Sequence, residues 1–226
     1  MYTVWPPLPR YISREYLYYH IFNDVLFAYF QKFGTVPNLA SRSPVRAWAK
    51  QFIDKYVAPE VAVTVQLRRN PANPARNSDY DAWRTFFKES SNRYPVRFVV
   101  ICAHHEMDAN LGDLPNVEFA KDHCTSVEQD LALIEEASMH IGASSGPGVM
   151  AIFNKKPYCF FNTGMQLDLY RGVIHEANAS RLFFATSQQR FIHGRESAAI
   201  LMAEFDRMWS SFKNRGSMNS NSDAGN

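Results

Sequence analysis

The sequence predicts an α/β protein: a doubly wound parallel sheet of Rossmann-like type, preceded by a helical segment and followed by a C-terminal helix. Two observations lead there. Residues 61–161 alternate short β-branched or aromatic runs with amphipathic stretches, joined by short connections. Within them, residues 139–161 (MHIGASSGPGVMAIFNKKPYCFF) read strand, tight turn, helix, tight turn, strand, the order of a βαβ unit.

Residues 1–9 are rich in Pro and aromatics and form an extended lead-in. From Ser13, apolar or aromatic residues at Leu17, Ile21, Val25, Leu26, Tyr29 and Phe33 mark an amphipathic helix ended by Gly34. Ser43-Pro44 opens a second helix to about Tyr56, with Val45, Trp48, Phe52 and Tyr56 on one face. Strands are expected at 61–67, 97–102, 117–120, 139–141 and 158–161, with a further candidate at 182–185. Ser78 or Asp79 caps a helix carrying Trp83, Phe86 and Phe87. Ser126-x-x-Gln129 is a capping box for the next helix. A last helix spans about 195–212, and the Ser/Asn/Gly-rich end is expected to be disordered. The expected layout is a helical segment over 1–58, a Rossmann-like domain over 59–214 and a tail over 215–226.

Composition narrows the function classes. The chain of 226 residues has room for one large domain, and 46% hydrophobic residues supply a core without disulfides. A net charge of +2, with basic residues scattered, gives no nucleic-acid surface. Three cysteines without CxxC spacing give neither a disulfide framework nor a zinc site. The N-terminus lacks a signal-peptide layout, and no apolar run reaches membrane-spanning length. A cytoplasmic, reducing setting is the expectation.

In a doubly wound sheet, ligands bind beyond the carboxyl ends of the strands. The segments at those ends are, in chain order, Arg68-Arg69-Asn70, His104-His105-Glu106, residues 121–126 and Ser144-Ser145-Gly146. Two arginines, two histidines and a Ser/Gly turn share one rim. A small-residue turn before a helix brings backbone N–H groups and hydroxyls to an anion, a phosphate or diphosphate. The competing reading is that small residues merely let the helix pack close to the sheet. Arg68 and Arg69 alternate sides, so at most one points at a ligand from the strand. His104, His105 and Glu106 are consecutive and do not converge on one metal ion. Lys155 and Lys156 fall at the opposite end of their strand and are expected to be solvated. The absence of G-x-G-x-x-G after the first strand disfavours a dinucleotide oxidoreductase.

The order of these motifs resembles the C-terminal, nucleotide-sugar-binding domain of GT-B-type glycosyltransferases. IGASSGPGVMAIFNKKP resembles the donor motif of the heptosyltransferase group. VTVQLRR, paired with the Ser-Ser turn, is similar to fucosyltransferases that use GDP-fucose. The resemblance spans residues 61–161. It implies a metal-independent transferase with no cofactor, a nucleotide-diphosphate sugar as donor, and a glycan, lipid or protein acceptor. It also implies that Arg68 or Arg69, with Ser144, Ser145 and Gly146, holds the donor phosphates. Ala103, His104, Lys121 and Thr125 would then wall the base and ribose. Three features depart from the pattern: the turn lacks the Asp and His of the heptosyltransferases, Asn70-Pro71 replaces the Thr-Asp-Lys of the fucosyltransferases, and only a helical segment precedes residue 61. No catalytic base is identified. A nucleotide-binding domain without turnover is the alternative.

Overall fold

The computed structural model describes residues 18–162 and 171–222. Helices α1 (Tyr18–Phe33) and α2 (Ser43–Tyr56) come first. Strand β1 (Val61–Gln66), helix α3 (Tyr80–Ser91), strand β2 (Val96–Ile101), the short helix α4 (Ala109–Gly112) and strand β3 (Val117–Phe119) come after them. Next are helix α5 (Val127–Glu136), strand β4 (Met139–Ala143), the one-turn helix α6 (Val149–Ile152) and strand β5 (Tyr158–Phe161). Strands β6 (Ile174–His175), β7 (Ala179–Arg181) and β8 (Gln189–Ile192) and helix α7 (Ala198–Ser222) complete the described chain.

The strands form one sheet in the order β3-β2-β1-β4-β5-β8-β7-β6. Every pairing from β3 to β8 is parallel, and β7 and β6 extend the sheet antiparallel. All five strands expected between residues 61 and 161 form. The candidate at 182–185 does not: its neighbour Ala179–Arg181 pairs instead. Strand β8 escapes the sequence because it begins with two polar residues. Both are buried with partners: Gln189 donates to the Lys156 carbonyl at 3.1 Å, and Arg190 to Glu204 at 2.8 Å.

Side-chain alternation sorts the core into two layers. Val63 and Val65 of β1, with Leu67 just after it, join Phe98 and Val100 of β2 against Trp83, Phe86 and Phe87 of α3 and Phe205 and Met208 of α7. On the other face, Ala62, Val99 and Ile101 meet Ala49 and Phe52 of α2, Leu133 of α5 and Met150 of α6. The second helix of the N-terminal segment therefore shares a core with the sheet. Helix α1 sets Phe27 and Phe30 against Phe183.

The helix ends obey their caps. The Asp79 side chain accepts from the Ala82 amide, and Ser126 and Gln129 cap α5 reciprocally. Helix α7 continues to Ser222, through residues expected to be disordered from 215 onward. No Pro interrupts it there, and extending a nucleated helix costs little per residue. The expected helix start at Ser13 and residues 223–226 lie outside the described residues. Lys156 departs from the expectation of a solvated charge: its Nζ donates to the Glu135 carbonyl, and burial lowers its pKa. No helix among the described residues is long and apolar enough to cross a membrane.

Candidate functional site

The connections of the sheet reverse direction between β1 and β4. From β1 the chain proceeds to β2 and β3 on one side, while β4 leads to β5 and β8 on the other. Such a reversal opens a crevice at the carboxyl ends of the two strands. Gln66 of β1 lies opposite Gly142 of β4. Arg68 and Ser144 each stand two residues past that pair. Gly142 is required by this close approach: at φ 142°, a Cβ there would lie 2.2 Å from the Gln66 carbonyl oxygen.

Three loops are tied together above the crevice. In the loop after β1, the Arg68 amide donates to Ser78 Oγ at 3.2 Å. Asn70 and Asn77 close the loop reciprocally, through Asn70 N to Asn77 Oδ1 at 2.7 Å and Asn77 Nδ2 to Asn70 O at 3.1 Å. A 3-10 turn, Pro74–Arg76, then sends Arg76 across to the loop after β4, where its Nη2 donates to the Ser144 carbonyl at 2.7 Å. Asn162, just past β5 and in the left-handed region at φ 47°, donates from Nδ2 to the Asn77 carbonyl at 2.9 Å. Glu196, 5% exposed, accepts from the Asp79 amide at 2.7 Å, and burial raises its pKa against the opposing pull of that amide. Sequence reasoning missed Arg76, Asn77, Asn162 and Glu196. The long Pro/Asn-rich loop after the first strand was the available signal for the first two; Asn162 and Glu196 gave none.

The structure separates the two arginines. Arg69 donates from Nη2 to Asp108 at 3.1 Å, and its guanidinium lies over the Tyr80 ring at 3.9 Å. Its charge is occupied. Arg68 is half-buried, forms no ion pair among the described residues, and has a buried Nε without an acceptor. A buried donor left unpaired costs free energy unless something else supplies the acceptor.

The Ser/Gly turn shows the same pattern. The Ser144 amide is taken by the Phe161 carbonyl at 3.2 Å. The amides of Ser145, Gly146 and Gly148 find no acceptor among the described residues, and Ser145 Oγ is buried without a partner. Gly148 cannot carry a side chain here, since a Cβ would come within 2.7 Å of the Phe160 ring. The helix after the turn is as short as the sequence, with Asn154 to Pro157 as its stop, leads one to expect. It spans Val149–Ile152, a single turn, so it supplies little of the macrodipole of a long helix. Attraction for an anion therefore falls on Arg68 and the unpaired amides.

The other predicted residues divide. Ala103 opens the loop after β2, where Glu106 accepts from the amides of both Ala103 and Arg69, and His104 is exposed on that loop. Lys121 and Thr125 are engaged internally: Lys121 Nζ donates to the Thr125 carbonyl at 2.6 Å and to Asp130 at 2.7 Å, and Thr125 Oγ1 donates to Asp130 at 2.6 Å. They brace the loop after β3. Of the segment 168–176, Arg171 pairs with Asp24 and Glu176 with Arg181, while Asp168 lies outside the described residues. No three His, Cys, Asp or Glu side chains converge among the described residues.

No protein-family profile matches the sequence, and no curated protein matches it. Solved structures do share the fold. ADP-heptose LPS heptosyltransferase II of E. coli superimposes with a TM-score of 0.57 at 13% identity, over 79% of this chain and 55% of that one. E. coli heptosyltransferase WaaC with ADP gives 0.48 at 12% identity, over 81% and 53%. The glycosyl transferase family 9 protein of Veillonella parvula gives 0.47 at 11% identity, over 71% and 42%. The chain thus spans about half the length of the first of these. At that identity the likeness concerns architecture: the chain has a Rossmann-like α/β fold of the kind found in ADP-heptose LPS heptosyltransferase II.

Proposed function

We propose that the crevice between β1 and β4 binds the diphosphate of a nucleotide-diphosphate sugar, and that the chain is the donor-binding part of a GT-B-type, metal-independent glycosyltransferase. The observation that carries this reading is the set of donors at the switch point with no acceptor among the described residues: Arg68 Nε, Ser145 Oγ and the amides of Ser145, Gly146 and Gly148. A diphosphate offers the oxygens these donors lack. The fold likeness to an ADP-heptose transferase supports a sugar nucleotide as its source.

The chemistry is electrostatic. As the bond from the anomeric carbon to the phosphate oxygen breaks, negative charge builds on the departing diphosphate. In this reading Arg68 and the turn amides supply the donors that meet the charge as it develops. Arg offers a planar fork for two oxygens, which a lysine does not. Ala103 and His104 face the base and ribose. Lys121 and Thr125 shape that wall through Asp130. The acceptor is a glycan, lipid or protein hydroxyl.

Calorimetric titration of UDP, GDP, ADP and NAD against the full chain tests the reading. One nucleoside diphosphate should bind with a stoichiometry of one, and NAD should not. Transfer or hydrolysis of the matching sugar nucleotide then distinguishes an enzyme from a domain that only binds. NAD binding with no nucleoside diphosphate bound would favour an oxidoreductase and refute the proposal.

A further inference from the structure

The floor of the crevice carries one polar group that binding a diphosphate leaves unused. Gln66, the last residue of β1, is 5% exposed. Its Nε2 donates to the Leu67 carbonyl at 3.1 Å, so the side chain curls forward along the strand, toward the carboxyl end. That bond also fixes which way the carboxamide faces. A carbonyl oxygen only accepts, so the NH₂ group must be the one against Leu67, and Oε1 is turned away from it. Oε1 is buried and has no donor among the described residues.

Strand register explains why the neighbours supply none. Gln66 lies opposite Gly142 of β4 on one side and Ile101 of β2 on the other. Ile101 is apolar. Gly142 has no side chain, and a Cβ there would lie 2.2 Å from the Gln66 carbonyl oxygen. Alternation puts Gln66 on the face of Ala62, against which α6 packs through Met150. The carboxamide thus belongs to the side of the sheet that carries the Ser/Gly turn, two residues before Arg68. Arg68 Nε and Ser145 Oγ do not close on it, since both lack partners themselves. A buried acceptor in this state costs free energy until a donor arrives. Phosphate oxygens cannot be that donor, because an ionised diphosphate only accepts.

We propose that Gln66 is a specificity-determining residue of the crevice, its Oε1 accepting a hydrogen bond from a sugar hydroxyl of the nucleotide-diphosphate sugar. This role rests on the diphosphate assignment above and adds a requirement to it: the ligand must present a hydroxyl beside its diphosphate. A sugar nucleotide has one on either flank, on the ribose and on the transferred sugar. A site built to pair a ligand hydroxyl rejects the analogue that lacks it, because the buried acceptor is then left unpaired.

Calorimetry of the full chain and of Gln66→Leu tests this with UDP, GDP and ADP, their 2′-deoxy and 3′-deoxy forms, their glucose conjugates, and conjugates lacking one glucose hydroxyl in turn. Gln66→Leu should weaken the hydroxyl-bearing ligand about 2- to 13-fold, the equivalent of one neutral hydrogen bond. A loss already present with the nucleoside diphosphate assigns the hydroxyl to the ribose. A loss confined to the glucose conjugate assigns it to the transferred sugar. One deoxy ligand should bind the parent more weakly by a similar factor, which needs no substitution, and should bind parent and variant alike, as a structural role for Gln66 would not produce. If the parent binds a nucleotide and Gln66→Leu binds every ligand as the parent does, or weakens all of them equally, this inference is overturned and the diphosphate assignment stands. A parent that binds none of the nucleotides overturns both.

Discussion

Arg68→Ala separates a binding role from a structural one. In the free protein the Arg68 guanidinium makes no ion pair among the described residues, and its Nε is buried without an acceptor. Removing it breaks no ion pair among the described residues and takes away a buried donor that has no acceptor there, so the melting temperature should hold or rise. Against a diphosphate the loss is that of hydrogen bonds to a charged group, about 1.5–3 kcal/mol. That corresponds to a dissociation constant raised about 10- to 150-fold. Arg68→Lys should recover part of the loss, because lysine restores the charge and not the fork. Arg69→Ala should behave in the opposite way. It loses a half-exposed pair with Asp108 at 3.1 Å and a contact over Tyr80, together worth about 1 kcal/mol of stability, and leaves nucleotide affinity unchanged. Calorimetry with the bound nucleoside diphosphate and thermal unfolding of the three variants give both quantities. Parent-like affinity in Arg68→Ala, or a stability loss there as large as in Arg69→Ala, refutes the reasoning.

Three further variants probe the same geometry. Gly142→Ala drives a methyl into the Gln66 backbone at a φ that side chains rarely adopt, and should lower the urea midpoint by an amount equal to about 1–3 kcal/mol or more. Phe205→Ala removes a fully buried ring packed on Phe86 and Phe98 and should cost about 3–5 kcal/mol by the same assay. Glu196 has its pKa raised above 4.5 by burial, so the folded protein holds this proton more tightly than the unfolded chain does. Its contribution to stability is fully present below the unfolded value and is lost as pH rises through the folded value. Glu196→Gln should therefore gain stability relative to the parent across that interval, measured by urea unfolding at a series of pH values. A constant difference between the two proteins would contradict it.

The part of the fold legible in the sequence was the part whose strands are apolar on both faces. Val61–Gln66 and Tyr158–Phe161 declare themselves as continuous buried runs, and Ser126 with Gln129 as a reciprocal cap. Strand β8 was not legible, because Gln189 and Arg190 are polar residues buried by partners distant in sequence, at Lys156 and Glu204. The candidate site was legible as a rim and not as a set of contacts. Chain order put Arg68 and Ser144 at carboxyl ends of strands; that β1 and β4 are neighbours with the reversal between them appears only in the strand pairing. Which arginine is uncommitted depends on Asp108 and Tyr80, and no spacing rule reveals those partners. Arg76 and Asn162 act through backbone carbonyls of other loops, and such contacts leave no pattern along the chain. The shortness of α6 was legible: Val149 to Phe153 fits a helix that Asn154 to Pro157 stops, and a single turn, Val149–Ile152, forms.

The most direct test of the central claim is the position of the bound nucleotide. Amide resonances of the isotope-labelled chain, followed during titration with UDP, GDP and ADP, report it residue by residue. One of these nucleotides should shift the amides of Ser145, Gly146 and Gly148 together with those around Arg68, and should shift them far less in Arg68→Ala. Shifts clustered away from β1 and β4, or none with any of the three nucleotides at millimolar concentration, would contradict the claim.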